Sequence, residues 1–236
     1  MGPIVTAGVA APTHDLIRLR EPTAVTADGR ALPWVEPALR RTPWVVVRRG
    51  RVRAGRIPVG VRGSTRSQRF AAWLSVADVA EERSPEDLWD GVENRPAAGL
   101  AYAPGPLRRE AVPVLDALAR VSLVLRRDCY RWGPGGSVGF ELATGAASVT
   151  ASSDLDIILR LPRRVALDVA RALWEALVEA AAPVRIDVLL ETPRGAVSLA
   201  DLATAPRQVL VRTPDGARLA ADPWAAGAFA ATERVS

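Results

Sequence analysis

A chain of 236 residues, 49% hydrophobic and 24% charged, has room for one large domain or two small ones at about 150 residues each, and its composition is that of a globular protein rather than a disordered one. Its one cysteine, Cys129, and one histidine, His14, exclude an internal disulfide framework, a multi-cysteine zinc site and a histidine-rich metal centre, so chemistry must run on carboxylates, hydroxyls, arginines and backbone amides. The net charge is +5, every cation is an arginine, and no apolar run approaches the ~18 residues that span a bilayer, so a membrane is not an expected partner.

Residues 1–11 lack the basic start and long apolar core of a signal peptide, which makes a cytoplasmic location the expectation. His14 reads as a core or capping residue rather than a catalytic one. Trp44-Val45-Val46-Val47 reads as a buried strand and residues 56–63 as a second, with Gly50 and Gly55 marking the turn between them. Pro58 argues for an edge or bulged position in that second strand. Residues 67–76 fit either a short strand or a helix. Ser84-Pro85-Glu86-Asp87 has the pattern of a helix start, with serine as N-cap, proline in the first turn and acids near the positive helix end. A Pro/Gly/Ala-rich stretch over 94–106 suggests a boundary, dividing the chain into a small β-rich unit, 1–98, and a second unit, 99–236.

The second half alternates. Residues 107–126 are helical by period, with Val114, Leu118, Val121 and Leu125 on one stripe. Cys129 reads as structural, and 132–139 as a glycine-rich loop. Residues 155–161 read as a strand ending at Pro162. A helix is expected over 164–182, with Val165, Val169, Leu173 and Leu177 inward. An apolar strand over 184–190 follows, of the kind that lies centrally in a sheet. Strands alternating with helices predict an α+β (mixed α/β) architecture with a mixed sheet.

Charge is unevenly spread. Residues 37–77 hold ten arginines and no Asp or Glu, so this block carries +10 and the remainder is net −5. A local basic block points to an anionic partner, such as a phosphorylated molecule, an acidic protein or nucleic acid. A solvated face is the alternative. The seven tryptophans form no stripe suited to base stacking, so nucleic acid is not the expected partner.

The strongest chemical signal is Gly135-Gly136-Ser137-Val138-Gly139-Phe140 followed by Ser153-Asp154-Leu155-Asp156, with Asp154 seventeen positions after Ser137. Strand alternation puts Asp154 and Asp156 on one face, roughly 6.5–7 Å apart along the strand. Two carboxylates held so are costly unless something positive lies between them. A divalent cation such as Mg²⁺ supplies that charge, and Mg²⁺ prefers carboxylate oxygens together with substrate phosphates. Gly136 and Ser137 offer amides and a hydroxyl with little bulk, a suitable cradle for a phosphate tail. Asp187, a lone acid in the apolar strand, fits as an inward third carboxylate. An isolated Asp-x-Asp is commonly a turn feature and an isolated Gly-Ser-x-Gly commonly a loop. The ordered set is far more specific than either.

That ordered set resembles the nucleotidyltransferase superfamily related to the DNA polymerase β palm. The whole chain resembles a narrower family within it, the phosphoribosyl-dephospho-CoA transferases that serve as holo-acyl-carrier-protein synthases of malonate decarboxylase. The residues that carry the likeness are His14-Asp15-Leu16, residues 45–49, Ile57-Pro58-Val59-Gly60-Val61-Arg62-Gly63 with Arg66, Gln68, Arg69 and Trp73, then Trp132-Gly133, residues 136–140, Leu142-Ala143-Thr144, residues 153–156, Glu191-Thr192-Pro193-Arg194-Gly195-Ala196, and Thr213-Pro214 through Pro223-Trp224. Pro134 and a short N-terminal extension depart from the family pattern without touching the acids.

The resemblance implies a polymerase β-like catalytic domain. It also implies transfer of a prosthetic group from 2′-(5″-triphosphoribosyl)-3′-dephospho-CoA to a serine of the apo acyl-carrier subunit of malonate decarboxylase, with pyrophosphate leaving. In such enzymes Asp154, Asp156 and Asp187 would bind two Mg²⁺ or Mn²⁺ ions, and Asp187 would assist deprotonation of the serine. Gly136 and Ser137 would hold the pyrophosphate, and Arg62, Arg66 and Arg69 would meet phosphates or the acidic carrier. Nucleotide transfer to a small molecule or RNA is the competing activity, and a non-catalytic basic nucleic-acid-binding module the competing class. The three acids argue against the module, because a binder of phosphodiesters gains nothing from converging carboxylates without metal.

Overall fold

The structure, a computed structural model, describes residues 11–29, 32–65, 67–93, 108, 111–127, 130–204 and 207–225. Arg66, Cys129 and the stretch 94–106 lie outside the described residues. The chain divides into two compact units, 1–84 and 85–236, so the division falls before residue 98. The reason lies in helix α2 (Pro85–Glu93), which packs within the second unit. A Cβ at Gly133 would overlap the Pro85 carbonyl, so only glycine lets that strand approach the start of α2 this closely. Arg160 pairs with Glu86, and Leu88 and Trp89 are buried.

The first unit runs β1 (Leu16–Leu19), β2 (Val25–Thr26), α1 (Val35–Arg41), β3 (Trp44–Val47), β4 (Arg56–Arg62), β5 (Arg69–Ser75), a 3₁₀ turn over Val76–Asp78, and β6 (Val79–Arg83). The strands form one antiparallel sheet in the order β2-β5-β4-β3-β1-β6. The ambiguous 67–76 stretch is therefore mostly strand β5. Ile57, Val59 and Val61 alternate into a core with Ile17, Val45 and Leu74.

Pro58 sits in an interior strand, not at an edge. Its carbonyl accepts from the Arg48 amide (2.8 Å) beyond the last residue of β3. The missing N–H thus faces Arg48 just past the end of β3, where the proline forgoes only the reciprocal bond to the Arg48 carbonyl. His14 is half-buried in the turn before β1, with φ +80° and its amide donating to Val47.

The second unit continues with α3 (Pro113–Arg127), β7 (Arg131–Pro134), α4 (Gly136–Thr144), β8 (Leu155–Arg160), α5 (Leu167–Ala181), β9 (Ile186–Thr192), β10 (Gly195–Ser198), α6 (Leu199–Ala203), β11 (Val209–Thr213) and β12 (Gly216–Ala220). The sheet order is β12-β11-β10-β9-β8-β7. β8 and β9 are parallel, joined through α5, and the other pairs are antiparallel, so the sheet is mixed as expected. Val114, Leu118, Val121 and Leu125 of α3 are all buried. Together with Leu155, Ile157, Leu177 and Leu190 they form the main core, where each fully buried Leu or Ile contributes about 1.5–3 kcal/mol.

Two readings shift. The stretch 132–139 is not a loop but the end of β7 and the first turn of α4. Helix α5 begins at Leu167 and buries Ala170, Leu173, Leu177 and Ala181, leaving Val169 exposed. Alanines let the helix sit close to α3, so the packed stripe runs through Ala170 rather than the larger Val169.

Candidate active site

Asp154 lies immediately before β8 and Asp156 is its second residue, flanking the fully buried Leu155. Both acids are half-buried, as alternation requires when Leu155 points into the core. Asp187 is the second residue of β9, directly in register with Asp156 across the parallel pair. In-register residues of a parallel pair share a face, and neighbouring strands lie about 4.7–4.9 Å apart. The three predicted acids are therefore gathered at the starting ends of two adjacent strands. Asp187 is exposed, not inward: Ile186 and Val188 take the core side, and the acid takes the solvent side.

A fourth group belongs to this cluster and was not assigned from sequence. Arg185 immediately precedes β9, as Asp154 precedes β8, and the Leu155 amide donates to the Arg185 carbonyl (2.9 Å). The Arg185 guanidinium pairs with Asp154. Its hydrogen bond to Asp154 and the Asp154 charge, with smaller contributions from Asp187 and Asp156, hold its pKa above the ordinary arginine range. One exposed arginine thus faces all three carboxylates.

Helix α4 starts against the same cluster. Gly135 donates its amide to the Asp156 carbonyl (2.8 Å), and Gly136 follows with φ +55°. A Cβ at Gly136 would overlap the Asp156 carboxylate, so glycine is required here by both space and backbone. The Asp156 side chain consequently lies at the positive end of α4, where first-turn N–H groups lack intrahelical acceptors. Ser137 is the second residue of the helix and half-buried, its carbonyl accepting from the Ser148 hydroxyl (3.2 Å).

Further along α4, Glu141 is 1% exposed. It accepts two hydrogen bonds from Arg108 (2.9 and 2.8 Å) and one each from the Ser148 and Val149 amides (2.8 Å each). Burial pushes its carboxyl upward, but the Arg108 hydrogen bond, those two amides and the Arg108 charge outweigh burial and hold it below the usual glutamate range. This ties α4 to the segment 145–153 that leads into Asp154.

The predicted arginines lie in the first unit. Arg62 and Arg69 are directly opposed across the β4–β5 ladder, and Arg69 donates to the Thr65 and Gln68 carbonyls (3.3 and 3.1 Å). Arg66 is not among the described residues. Arg53 closes the turn before β4, bridging to Arg56, and stacks over Trp73 at 5.6 Å.

As donors, three carboxylates at one sheet end fit a hard divalent cation in kind. Among the described residues, however, no group of three or more Asp, Glu, His or Cys side chains converges tightly enough to hold a metal ion as the side chains stand. A cavity of about 520 Å³, lined by Arg164, Leu167, Leu202 and Trp224 among others, lies beyond the far end of β8 and contains none of these acids. Among the described residues, no helix is long and apolar enough to cross a membrane.

The family likeness is carried partly by turns rather than by chemistry. Thr192-Pro193-Arg194-Gly195 and Thr213-Pro214-Asp215-Gly216 are two hairpin turns of one design. In each the threonine hydroxyl donates to the glycine carbonyl (2.8 Å) and accepts an amide two residues on (3.2 Å). The Trp224 indole ties the end of the described chain to the Leu161 carbonyl (2.8 Å).

Comparison with known proteins covers both units. Residues 12–85 match the phosphoribosyl-dephospho-CoA transferase MdcG N-terminal domain, and residues 103–223 match the MdcG C-terminal domain. The chain is 40% identical over 212 residues to a phosphoribosyl-dephospho-CoA transferase of Pseudomonas putida, covering 90% of this chain and 94% of that protein. It is 41% identical over 199 residues to one of Azotobacter vinelandii, covering 84% and 87%. It is 39% identical over 211 residues to one of Klebsiella pneumoniae, covering 89% and 95%. No solved structure matches. With both domain models and these near full-length relatives in agreement, the chain belongs to the phosphoribosyl-dephospho-CoA transferase family and is a transferase.

Proposed function

We propose that this transferase moves the 2′-(5″-phosphoribosyl)-3′-dephospho-CoA group from 2′-(5″-triphosphoribosyl)-3′-dephospho-CoA onto a serine of the apo acyl-carrier subunit of malonate decarboxylase, in the cytoplasm. The observation that carries this reading is the in-register Asp156–Asp187 pair on parallel strands, set against the glycine-started helix α4. The serine oxygen forms a bond to the α-phosphorus, the α–β phosphoanhydride breaks, and pyrophosphate leaves. Such a displacement needs positioning and charge neutralisation more than covalent help from the protein. Asp154, Asp156 and Asp187 would hold Mg²⁺ or Mn²⁺, which when bound neutralises phosphate charge and stabilises the attacking and leaving oxygens.

The remaining work falls to side chains and backbone. Asp187, exposed at its strand end, would accept the serine proton. The first turn of α4, at Gly136 and Ser137, offers N–H groups and a hydroxyl to the leaving pyrophosphate. Arg62, Arg66 and Arg69 supply charge for the donor phosphates or an acidic carrier.

The test is mass spectrometry of the carrier subunit after incubation with the enzyme and either the triphosphoribosyl donor or ATP. A mass increase matching phosphoribosyl-dephospho-CoA, stoichiometric with pyrophosphate and dependent on Mg²⁺ or Mn²⁺, is expected. An adenylylated carrier, or an unmodified one with the donor present, overturns the assignment.

A further inference from the structure

The two faces of the second sheet differ. The face packed by α3, α5 and α6 carries Ile157, Val188, Val197, Val209, Val211 and Ala220, all buried. The opposite face carries the acids, and the register extends it to the sheet edge. Asp156 is opposite Asp187, Glu191 opposite Ala196, Ala196 opposite Arg212, Arg212 opposite Ala217 and Leu210 opposite Leu219. Cross-strand partners share a face, as do residues two apart on one strand, so Leu189, Leu210 and Leu219 lie on the acid-bearing face. Leu210 is 42% and Leu219 50% exposed, and Leu189 is half-buried. A solvated antiparallel face carries polar residues at such positions. Two leucines directly opposed on the outermost hairpin, β11–β12, instead leave a joined apolar surface in water beside the edge strand. Exposed Arg212 stands in the next pair on that face.

Resting on the reading of the acid cluster as the place of transfer, we infer that this row of leucines, with Arg212 beside it, is the docking surface for the acceptor protein, which meets it with apolar side chains and an adjacent carboxylate. The scale fits. Strands β9 to β12 are three spacings of about 4.8 Å, so Leu210 and Leu219 lie roughly 10 and 14 Å across the sheet from the strand of Asp187. A stable protein contact buries about 800 Å² on each partner, a patch roughly 30 Å wide. A patch of that width centred on Asp187 reaches the β11–β12 hairpin. Helix α4 stands on the β8 side of the cluster, against Asp156, so the partner's footprint extends toward β12. The donor has the opposite chemistry: its phosphates call for cations, and the row offers one arginine among three leucines.

The experiment measures binding of the apo carrier subunit to the full chain by isothermal titration calorimetry without donor, and then KM for carrier and donor separately. Leu210→Thr and Leu219→Thr, which keep strand propensity, and Arg212→Glu should each weaken carrier binding and raise carrier KM about three- to tenfold, the scale of an interface anchor, with donor KM unchanged. Val178→Ser, as exposed as Leu210 but on α5, which covers the other face, should match the parent. Circular dichroism melts of each variant keep a folding defect from passing as lost docking. A carrier that the parent modifies, with binding indifferent to all three changes, overturns the docking alone. A rise in donor KM without loss of carrier binding also overturns it, by giving the row to the donor. So does a parent dimer in sedimentation analysis that the leucine changes dissolve, by giving the row to a second copy. A carrier that binds through the leucines but is never modified supports the docking and overturns the proposed transfer instead.

Discussion

Helix α4 has a carboxylate at each end of its environment, and the two are treated in opposite ways. Glu141 is buried, and its oxygens receive four hydrogen bonds, two of them from Arg108. Asp156, against the helix start, is half-buried beside two more acids, with the exposed Arg185 as the nearby cation. A buried charge persists only when its partners replace the water it has lost, and then it acts as a strut. Like charges kept together at a solvent-facing strand end serve no packing need. They are tolerated for what they can bind. The contrast separates a carboxylate that holds the site's frame from carboxylates that face its ligand.

The largest effect should come from breaking the strut. Glu141→Ala removes the acceptor for the Ser148 and Val149 amides and the anionic partner of Arg108. The loss of one partner of a buried pair typically costs 3–5 kcal/mol, and the partial exposure of Arg108 places this case near ~3 kcal/mol. Differential scanning calorimetry should show the second unit melting roughly 6–12 °C lower. A shift under about 2 °C would mean that the segment 145–153 is held by other contacts.

The complementary change should leave stability alone. Asp156→Asn and Asp187→Asn each remove one of three mutually repelling charges, so melting should be unchanged or slightly higher. Turnover with the triphosphoribosyl donor and carrier should fall at least ~10²-fold, since removal of a ligand or proton acceptor costs several kcal/mol at the transition state. If either variant melts like Glu141→Ala yet keeps its turnover, the two roles have been assigned the wrong way round.

These distinctions were only partly legible in the sequence. The acids at the starts of two apolar strands and the glycine-serine start of α4 stand out by spacing, because each feature is local. Arg185 is two residues before Asp187, mirroring Asp154 before Asp156, yet its partner is 31 positions away and only the parallel register brings them together. Glu141 looks like an ordinary helical surface acid until Arg108, 33 positions upstream, closes over it. Periodicity favoured Val169 over Ala170 because valine is the more apolar residue, whereas close helix packing favours the smaller one. The compact units divide at 84/85 rather than within the Pro/Gly/Ala-rich stretch, because proline and glycine content marks loops while tertiary packing decides which unit claims α2.

The strut also makes a pH prediction. The folded-state pKa of Glu141 is depressed, so its contribution to stability is present above the unfolded value of about 4.3 and is lost as pH falls through the lower folded value. Glu141→Gln carries no such titration. Urea midpoints measured for parent and Glu141→Gln should therefore differ most near neutral pH and converge below about pH 4. A gap that is constant across this range would mean that charge contributes nothing and that only the shape of the side chain matters.

The smallest effects belong to the arginines of the first unit, where Arg62 is half-buried and Arg69 exposed, so that solvent dilutes their charge. Arg62 and Arg69 stand directly opposite one another in the β4–β5 ladder, and like charges so placed disfavour the pairing. Arg53, by contrast, already lies over the Trp73 ring. If the opposed pair is kept for an anion, Arg62→Ala and Arg69→Ala should each raise KM for the donor or for the carrier about three- to tenfold, with kcat nearly unchanged, because a contact that binds ground and transition states equally moves KM alone. Arg53→Ala should leave both KM values alone. The arginine effects should also shrink as salt rises, since the Debye length falls from about 10 Å at 0.1 M to about 3 Å at 1 M. Kinetics with donor and carrier varied separately assign each arginine to one substrate. Relief of the opposed charges should at the same time raise the melting temperature of the first unit slightly. A variant that gains stability without any change in KM would identify the basic strand pair as a solvated face, and would confine substrate recognition to the second unit.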